Sequence, residues 1–389
     1  MQNFGVCLLP EPHAIIANET EALPSYITEA AQFLNEGYAK KALQTLNNAS
    51  IKIVDSPWGW IVAATAHCRL KNFAVAYEVS QRGLQQAGSN TYLFDCLGVA
   101  WSGLNDYANA QNSFLHAIQS DTHNTNAVVN LANIFIAQNN PDAAFATLQQ
   151  GLKQNPNSRE IKSLLVQLHP AWIQPLVGGR LRLRMPVPGD DDFFARSFSD
   201  RAFMNSYHRF TANNQTKQRI GNNLKQNPRY SIAKQKSLNW IIEQTGNANK
   251  SGYYPIGLAC LAEIQLGHQS AEVLTGFPDP AHRGQGSPLA AMLLLLDFAF
   301  NRIGFNKLTS IVYGDNQYSQ RSTLALGFTQ EGFRPAHLRD PETGHWLNIW
   351  ENGFLQSDFR KNARLARLSE HLLGFDITGS RMEQTVFEQ

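Results

Sequence analysis

The sequence predicts a multidomain protein: an all-α stack of helical hairpins, then an α/β (α+β) domain. Three observations predict it. The first half repeats every 34 residues, the text changes near His169 to alternating strand-like runs, and a glycine turn at residues 282–290 (HRGQGSPLA) leads directly into an apolar helix. A chain of 389 residues is also too long for one ordinary core. The expected division is an N-terminal extension (1–22), four helix pairs with a capping helix (23–169), a linker (170–179), the sheet domain (180–356) and a helical tail (357–389).

With the frame set at Leu23, Pro57, Thr91 and Thr125, the eighth position reads Ala30, Ala64, Gly98, Ala132 and the twentieth Ala42, Ala76, Ala110, Ala144. The twenty-seventh reads Ala49, Gly83, Ala117, Gly151, and the eleventh is large: Phe33, His67, Trp101, Phe135. Small residues at fixed places let two helices approach, and the large one fills the space they leave. In period and residue class this resembles the tetratricopeptide repeat, including Pro156 where its second helix commonly ends. The resemblance implies a short right-handed superhelix closed by a helix at 158–169, whose concave groove holds a peptide or protein partner. The alternative is that the repeats only dimerise or stiffen the chain. Asn90, Asn126, Asn130 and Asn133 either line the groove and bond an extended backbone or sit as solvated helix ends.

Beyond residue 169, PAWIQPLVGGR carries two prolines and two glycines and reads as the linker. Residues 180–187 (RLRLRMPV) alternate as a first strand, and Asp190, Asp191 and Asp192 suit a helix start. Strands are expected at 238–243, 256–264 and 271–277, a helix at 287–302 and a strand at 307–313. A helix at 318–326 and strands at 328–334 and 346–351 complete the domain.

The turn at 282–290 aims several backbone N–H groups at one spot, where the dipole of the following helix adds partial positive charge. That combination holds a phosphate or pyrophosphate. Downstream stand Asn316 and the tripeptide Leu326-Gly327-Phe328. Taken in order, these pieces resemble the GNAT acetyltransferase superfamily across residues 180–356. Ala271-Glu272-Val273 matches the family's A-E-x at its fourth strand. Arg283-Gly284-Gln285-Gly286 matches the latter part of its pyrophosphate loop, and residues 314–328 (GDNQYSQRSTLALGF) match its asparagine-to-L-G-F segment. Residues 331–346 (EGFRPAHLRDPETGHW) read like the hairpin of the branch that acetylates ribosomal-protein N-termini, and the RLRLR…DDDFF opening suits that branch.

The resemblance implies a mixed, mostly antiparallel central sheet and transfer of an acetyl group from acetyl-CoA to an amine; no metal is expected, because the histidines are dispersed without ligand spacing. The amides of Arg283, Gly284, Gln285, Gly286 and Ser287 would hold the CoA pyrophosphate, with Arg283 adding charge and Ser287 capping the helix ahead of Pro288. Ala281 stands at the loop's usual Gln/Arg position. The strands at 271–277 and 307–313 would splay to grip pantetheine. Asn316 is read both as a pantetheine partner and as the N-cap of the next helix. Where many members carry a tyrosine acid seven places after the asparagine, this chain has Thr323. Ser319 is therefore the candidate acid and Glu272 the candidate base, with Glu331 second. Their plainer readings are a helix-start serine and a solvated strand glutamate. Tyr313 and Tyr318 lie nearby without a motif.

The acceptor stays open. At pH 7 the neutral fraction is roughly one in seven for an α-amine and one in 2,500 for lysine, so a site without a strong base favours the former or a similarly acidic sugar amine. The leading expectation is a protein amine recruited by the repeats. The alternatives are an amino-sugar N-acetyltransferase of surface-glycan or flagellin modification and a non-catalytic scaffold with a degenerate acetyltransferase module. The basic segment 205–238, with Tyr207, His208, Arg209 and Phe210, is expected on the acceptor side. It either meets an acidic acceptor or forms a solvated helix.

Composition excludes other classes. A formal charge of +2 and the lack of an aromatic-interleaved basic stripe argue against nucleic acid. Cys7, Cys68, Cys96 and Cys260 form no CxxC pair, and the histidines show no ligand spacing. The apolar run LAAMLLLLDFAF is too short to span a bilayer, and MQNFGVCLLPEPHAII lacks the basic start and long apolar core of a secretory signal. A cytoplasmic protein without a membrane partner is expected.

Overall fold

The computed structural model describes residues 8–11, 23–48, 56–210, 216–225, 232, 236–246, 252–284, 286–340, 343–379 and 386. It divides into two compact units, Met1–Leu168 and His169–Gln389.

The first unit is helical. Its helices pair as α1 (Ser25–Asn35) with α2 (Ala39–Asn48), α3 (Pro57–Arg69) with α4 (Phe73–Ala87), α5 (Thr91–Gly103) with α6 (Tyr107–Ser120), and α7 (Thr125–Ala137) with α8 (Pro141–Gln154). A further helix, α9 (Arg159–Leu168), packs on α8. The period is written into the backbone as well as the side chains. Gly37, Lys71, Asn105 and Asn139 all have positive φ, at 86°, 60°, 63° and 60°. Each lets the next N–H (Tyr38, Asn72, Asp106, Asn140) bond back to the carbonyl of Phe33, His67, Trp101 or Phe135, at 2.8, 2.9, 3.0 and 2.8 Å. The large eleventh residue therefore also anchors the turn between the two helices of its unit. Ser56, Asn90, Asp106, Asn124 and Asn140 cap the helices that follow them.

The small positions are close approaches. Ala30, Ala42, Ala76, Ala110, Ala132 and Ala144 are fully buried. A Cβ on Gly98 would lie 2.6 Å from the Phe114 ring, and one on Gly151 2.4 Å from Val128. Because the Phe114 ring is itself fully buried, it has no room to yield. Gly98→Val is expected to destabilise the repeats by about 3 kcal/mol through overpacking, read as a lower urea midpoint.

The second unit is built on a sheet of order β1-β2-β3-β4-β5-β6-β8-β7, eight strands among the described residues. They are β1 (Leu176–Gly178), β2 (Leu181–Arg184), β3 (Leu238–Thr245), β4 (Tyr253–Gln265), β5 (Ser270–Gly276), β6 (Lys307–Tyr313), β7 (Thr329–Arg339) and β8 (Trp346–Leu355). Only β5 and β6 pair in parallel. The stretch 170–179 is not the linker its prolines and glycines suggest. It holds a 3-10 turn at Pro170–Ile173 and strand β1, and Trp172 is fully buried against Phe298 and Phe305. The turn-forming residues mark its bends, while Trp172 and Leu176 tie it to the core.

Helices α10 (Asp191–Ser199), α11 (Arg201–Tyr207) and α12 (Lys217–Leu224) lie between β2 and β3. After β5 comes α13 (Ser287–Asp297), buried almost all round, whose last turn at Phe298–Ile303 widens to a π-helix and stops at Gly304, φ +90°. Helix α14 (Gln317–Ala325) joins β6 to β7. The C-terminal part is integrated rather than trailing. Helices α15 (Gln356–Arg360) and α16 (Ala363–Leu373) pack on β8, β1 and α13, and Arg360 bonds Asn301 and the Thr378 carbonyl.

Candidate active site

The site begins where β5 and β6 part. Their register runs Ser270↔Lys307, Ala271↔Leu308, Glu272↔Thr309 and then ends, although both strands continue to Gly276 and Tyr313. The result is a wedge between two strand edges on the carboxyl side of the one parallel pair, the usual place for a ligand crevice. Glu272 stands at its apex. Its Oε1 accepts the N–H of Ile311 across the gap at 3.3 Å, so a side chain replaces the backbone partner that parting removed. Burial raises the carboxyl above its ordinary value; the Ile311 N–H pulls it down and the charge of Glu263 adds to the rise. Such a carboxylate is a better proton acceptor than a solvated one. Glu331 is instead paired with Lys307 at 2.7 Å at the closed, paired end of β6, and is largely exposed.

The far end of the wedge is covered by α11 and the residues after it. Tyr207 is partly buried and stacks on Phe203, with ring centroids 5.0 Å apart. Both rings press on Gly276, where an added Cβ would lie 2.4 Å from Tyr207. On the β6 side, Tyr313 accepts the backbone N–H of Arg209 at its hydroxyl, 3.2 Å, and the Arg209 guanidinium lies 4.9 Å from the ring centre. Burial raises the Tyr313 phenol, keeping it protonated. Arg209 is bonded to Asp315 at 2.8 Å and to Asp340 at 3.3 Å, which neutralises the part of the basic segment nearest the wedge. Lys217 pairs with Asp191 and Asp192 on the surface. Arg229 and Lys234, also expected on the acceptor side, lie outside the described residues.

The glycine turn leaves the end of β5. Asp279 accepts the Ala281 N–H at 2.8 Å. Arg283 does not project from the loop as a lone charge: its guanidinium donates to the carbonyls of Phe277 and Pro278, both at 2.9 Å, which stitches the turn to the strand it follows. Gly284 is exposed, and a Cβ there would meet nothing within 4 Å. Gln285 lies outside the described residues. The N-cap of α13 is Gly286, not Ser287. Gly286 takes φ +78°, a conformation glycine adopts without strain, and its carbonyl accepts the Ala290 N–H at 2.9 Å. Ser287 is the buried first helical residue, ahead of Pro288. Open space at Gly284 beside the left-handed N-cap of a long helix fits an anionic diphosphate.

Asn316 follows the end of β6, so both loops emerge from the same ends of the parallel pair. Its side chain accepts the Ser319 N–H at 3.1 Å as the N-cap of α14. Ser319 is half-buried on the first turn, and Tyr318 is exposed. What holds α14 in place has no sequence motif. Gln320 and Asn352, both buried, exchange two amide hydrogen bonds at 2.9 and 3.0 Å, and Asn352 also donates to the Ser310 carbonyl at 3.1 Å. Sequence reading missed this pair and the roles of Arg209 and Tyr313. A polar residue inside a strand beside an LGF turn was the one available signal. Cys260 sits on β4 near Glu272, with its thiol pushed up to about 12 by burial, so it is a poor nucleophile at neutral pH.

Among the described residues there is no group of three or more His, Cys, Asp or Glu that could hold a metal ion, and no helix is long and apolar enough to cross a membrane. Residues 180–329 match the family model for an acetyltransferase (GNAT) domain and residues 103–168 that for a tetratricopeptide repeat. An uncharacterized N-acetyltransferase, YoaA of Bacillus subtilis (strain 168), is 25% identical over 116 residues, 30% of this chain and 62% of that protein. The chain thus spans less than two thirds of the length of this relative. Among solved structures, the spermidine N-acetyltransferase from Vibrio cholerae in complex with CoA and spermine is 23% identical, with a TM-score of 0.39, covering 46% of this chain and 97% of that one. A putative acetyltransferase is 19% identical, with a TM-score of 0.38, over 48% and 89%. The chain therefore carries a GNAT acetyltransferase domain and a tetratricopeptide-repeat segment.

Proposed function

We propose that the second unit transfers an acetyl group from acetyl-CoA to an amine by direct attack on the thioester, and that the repeats recruit a polypeptide whose amine is the acceptor. The observation that carries this reading is the wedge between β5 and β6, with a raised carboxyl at its apex and a glycine turn at its mouth. Acetyl-CoA supplies an activated acyl group on a thiolate leaving group. The amides around Gly284 and Gly286 hold its diphosphate, the free edges of β5 and β6 flank its pantetheine arm, and Asn316 orients the first turn of α14 beside it. Glu272 accepts the proton of the amine as the C–N bond forms. The leaving sulfur takes a proton from Ser319, or from Tyr313, whose phenol is protonated. The buried thiol of Cys260 supports one-step transfer over an acyl-cysteine intermediate.

Gly284→Val tests the cradle, because an added Cβ there would meet no protein atom within 4 Å. It is expected to leave the melting temperature unchanged and weaken acetyl-CoA binding about ten-fold or more by calorimetry, roughly 1.4 kcal/mol. Unchanged affinity removes the diphosphate assignment. The acceptor is tested with labelled acetyl-CoA against peptide α-amines, lysine peptides, polyamines and a nucleotide-linked amino sugar. Label on peptide amines supports the reading. Label on the sugar alone moves the protein to the amino-sugar class, and no heat with acetyl-CoA leaves only the scaffold.

A further inference from the structure

We propose that the fourth repeat carries a clamp that reads the backbone of an extended polypeptide. The clamp is Asn126 and Asn130 of α7, residues 8–11 of the same chain are its resident occupant, and a partner segment with two apolar residues followed by proline displaces them. This deepens the partner-binding reading of the repeats and rests on it, independently of the acetyl-transfer chemistry.

Asn130 is fully buried. Its Oδ1 accepts the N–H of Leu8 at 2.7 Å and its Nδ2 donates to the Leu8 carbonyl at 2.7 Å. One side-chain amide thus satisfies both backbone groups of a single residue, as a neighbouring β-strand would. Asn126, one turn earlier on the same helix face, donates from Nδ2 to the Leu9 carbonyl at 3.3 Å. The equivalent positions of the second and third units are Trp58 and Val62, and Tyr92 and Cys96. The amide pair belongs to the fourth unit.

The occupant's side chains add selectivity that backbone contacts lack. Leu9, like Trp101, packs on the cluster that contains Val99, Phe114 and Leu131. Pro10 is buried, and its ring brings no N–H that burial would leave without a partner. Glu11 is exposed. A buried amide without partners is costly, so the clamp is expected to stay filled, either by Leu8 or by a rival segment of the same chemistry. The resident segment, tethered at high effective concentration, sets the threshold that a partner must exceed.

The test uses the full chain and a fluorescent peptide of residues 6–12 (VCLLPEP). Leu9→Glu evicts the resident segment, and anisotropy titration should show the peptide binding this variant at least about ten-fold more tightly than the unaltered chain. Adding Asn130→Ala should reverse the gain by about ten-fold or more. Should Asn130→Ala unfold the repeats, judged by circular dichroism, Asn126→Ala at a half-buried position carries the same test with a loss of about three-fold or more. Equal peptide affinity with and without Leu9→Glu overturns the proposal. So does equally tight binding of a scrambled peptide, or indifference to the asparagine that is tested. Acetyl-CoA binding is unaffected in every case, so failure here is distinct from failure of the transferase reading.

Discussion

Glu272→Gln is expected to lower kcat by about two to four orders of magnitude, the usual weight of a general base, while acetyl-CoA affinity stays within about three-fold, since the residue lies at the wedge apex and not in the loop. Glutamine keeps the shape and can still accept the Ile311 N–H through Oε1. What it loses is the capacity to take a proton. The pH profile gives a second and more specific readout. Below its pKa the Glu272 carboxyl is protonated and cannot act, so kcat/KM falls as pH falls through that value. Burial raises that pKa, so the acid limb lies above the range of a solvated glutamate and vanishes in the variant. An unchanged kcat with the limb intact would remove Glu272 as the base and shift attention to a water or to the acceptor's own intrinsic acidity.

Asp95→Asn is expected to stabilise the repeats by about 4 kcal/mol at pH 8 and to have little effect at pH 4. Asp95 on α5 is fully buried. Its Oδ2 accepts from Asn124 at 2.8 Å, while Oδ1 has no hydrogen-bond partner among the described residues. Burial lifts its pKa to about 7; the Asn124 bond opposes this, and the charge of Asp121 adds to it. Folding therefore takes up a proton between the unfolded value, 3.8, and about 7. The folded state binds more protons than the unfolded chain across that window, so stability is fully present below it and declines as pH rises through it. About three units at 1.36 kcal/mol each give a decline of about 4 kcal/mol. Asparagine mimics the protonated acid and removes the slope. Thermal melts from pH 4 to pH 8 check this: parallel curves for the two proteins would mean that Asp95 is solvated or ionised in the fold.

Asp95 also marks what periodicity leaves unread. The fifth position of the other units is Ile27, Ile61 and Val129, so a carboxylate there breaks an apolar register. The break is visible in the sequence, but whether a partner compensates it depends on Asn124, 29 residues away. The strand and helix runs of the second unit were legible because alternation and helical spacing are local. Residues 307–313 were expected as a strand and form β6, and the longer β4 and β8 extend the runs their apolar cores announce. The candidate base and the N-cap asparagine were found through motif residues. The reach of Arg283 back to Phe277 and Pro278, the cap at Gly286 and the Gln320–Asn352 pair were not. Each depends on a rotamer or a backbone angle chosen by neighbours that no spacing rule names.

Read alone, the amino-acid order settled the two architectures, the repeat register and the place of the glycine turn, because each follows from periods of a few residues and from the φ preferences of single residues. Only the tertiary structure decided that β5 and β6 part after Glu272, that the supposed linker is a buried turn and edge strand, and that residues 8–11 lie against Asn126 and Asn130. Those outcomes join positions far apart in the chain. They turn on which buried polar groups find partners once the cores have closed, and that balance is struck between distant residues.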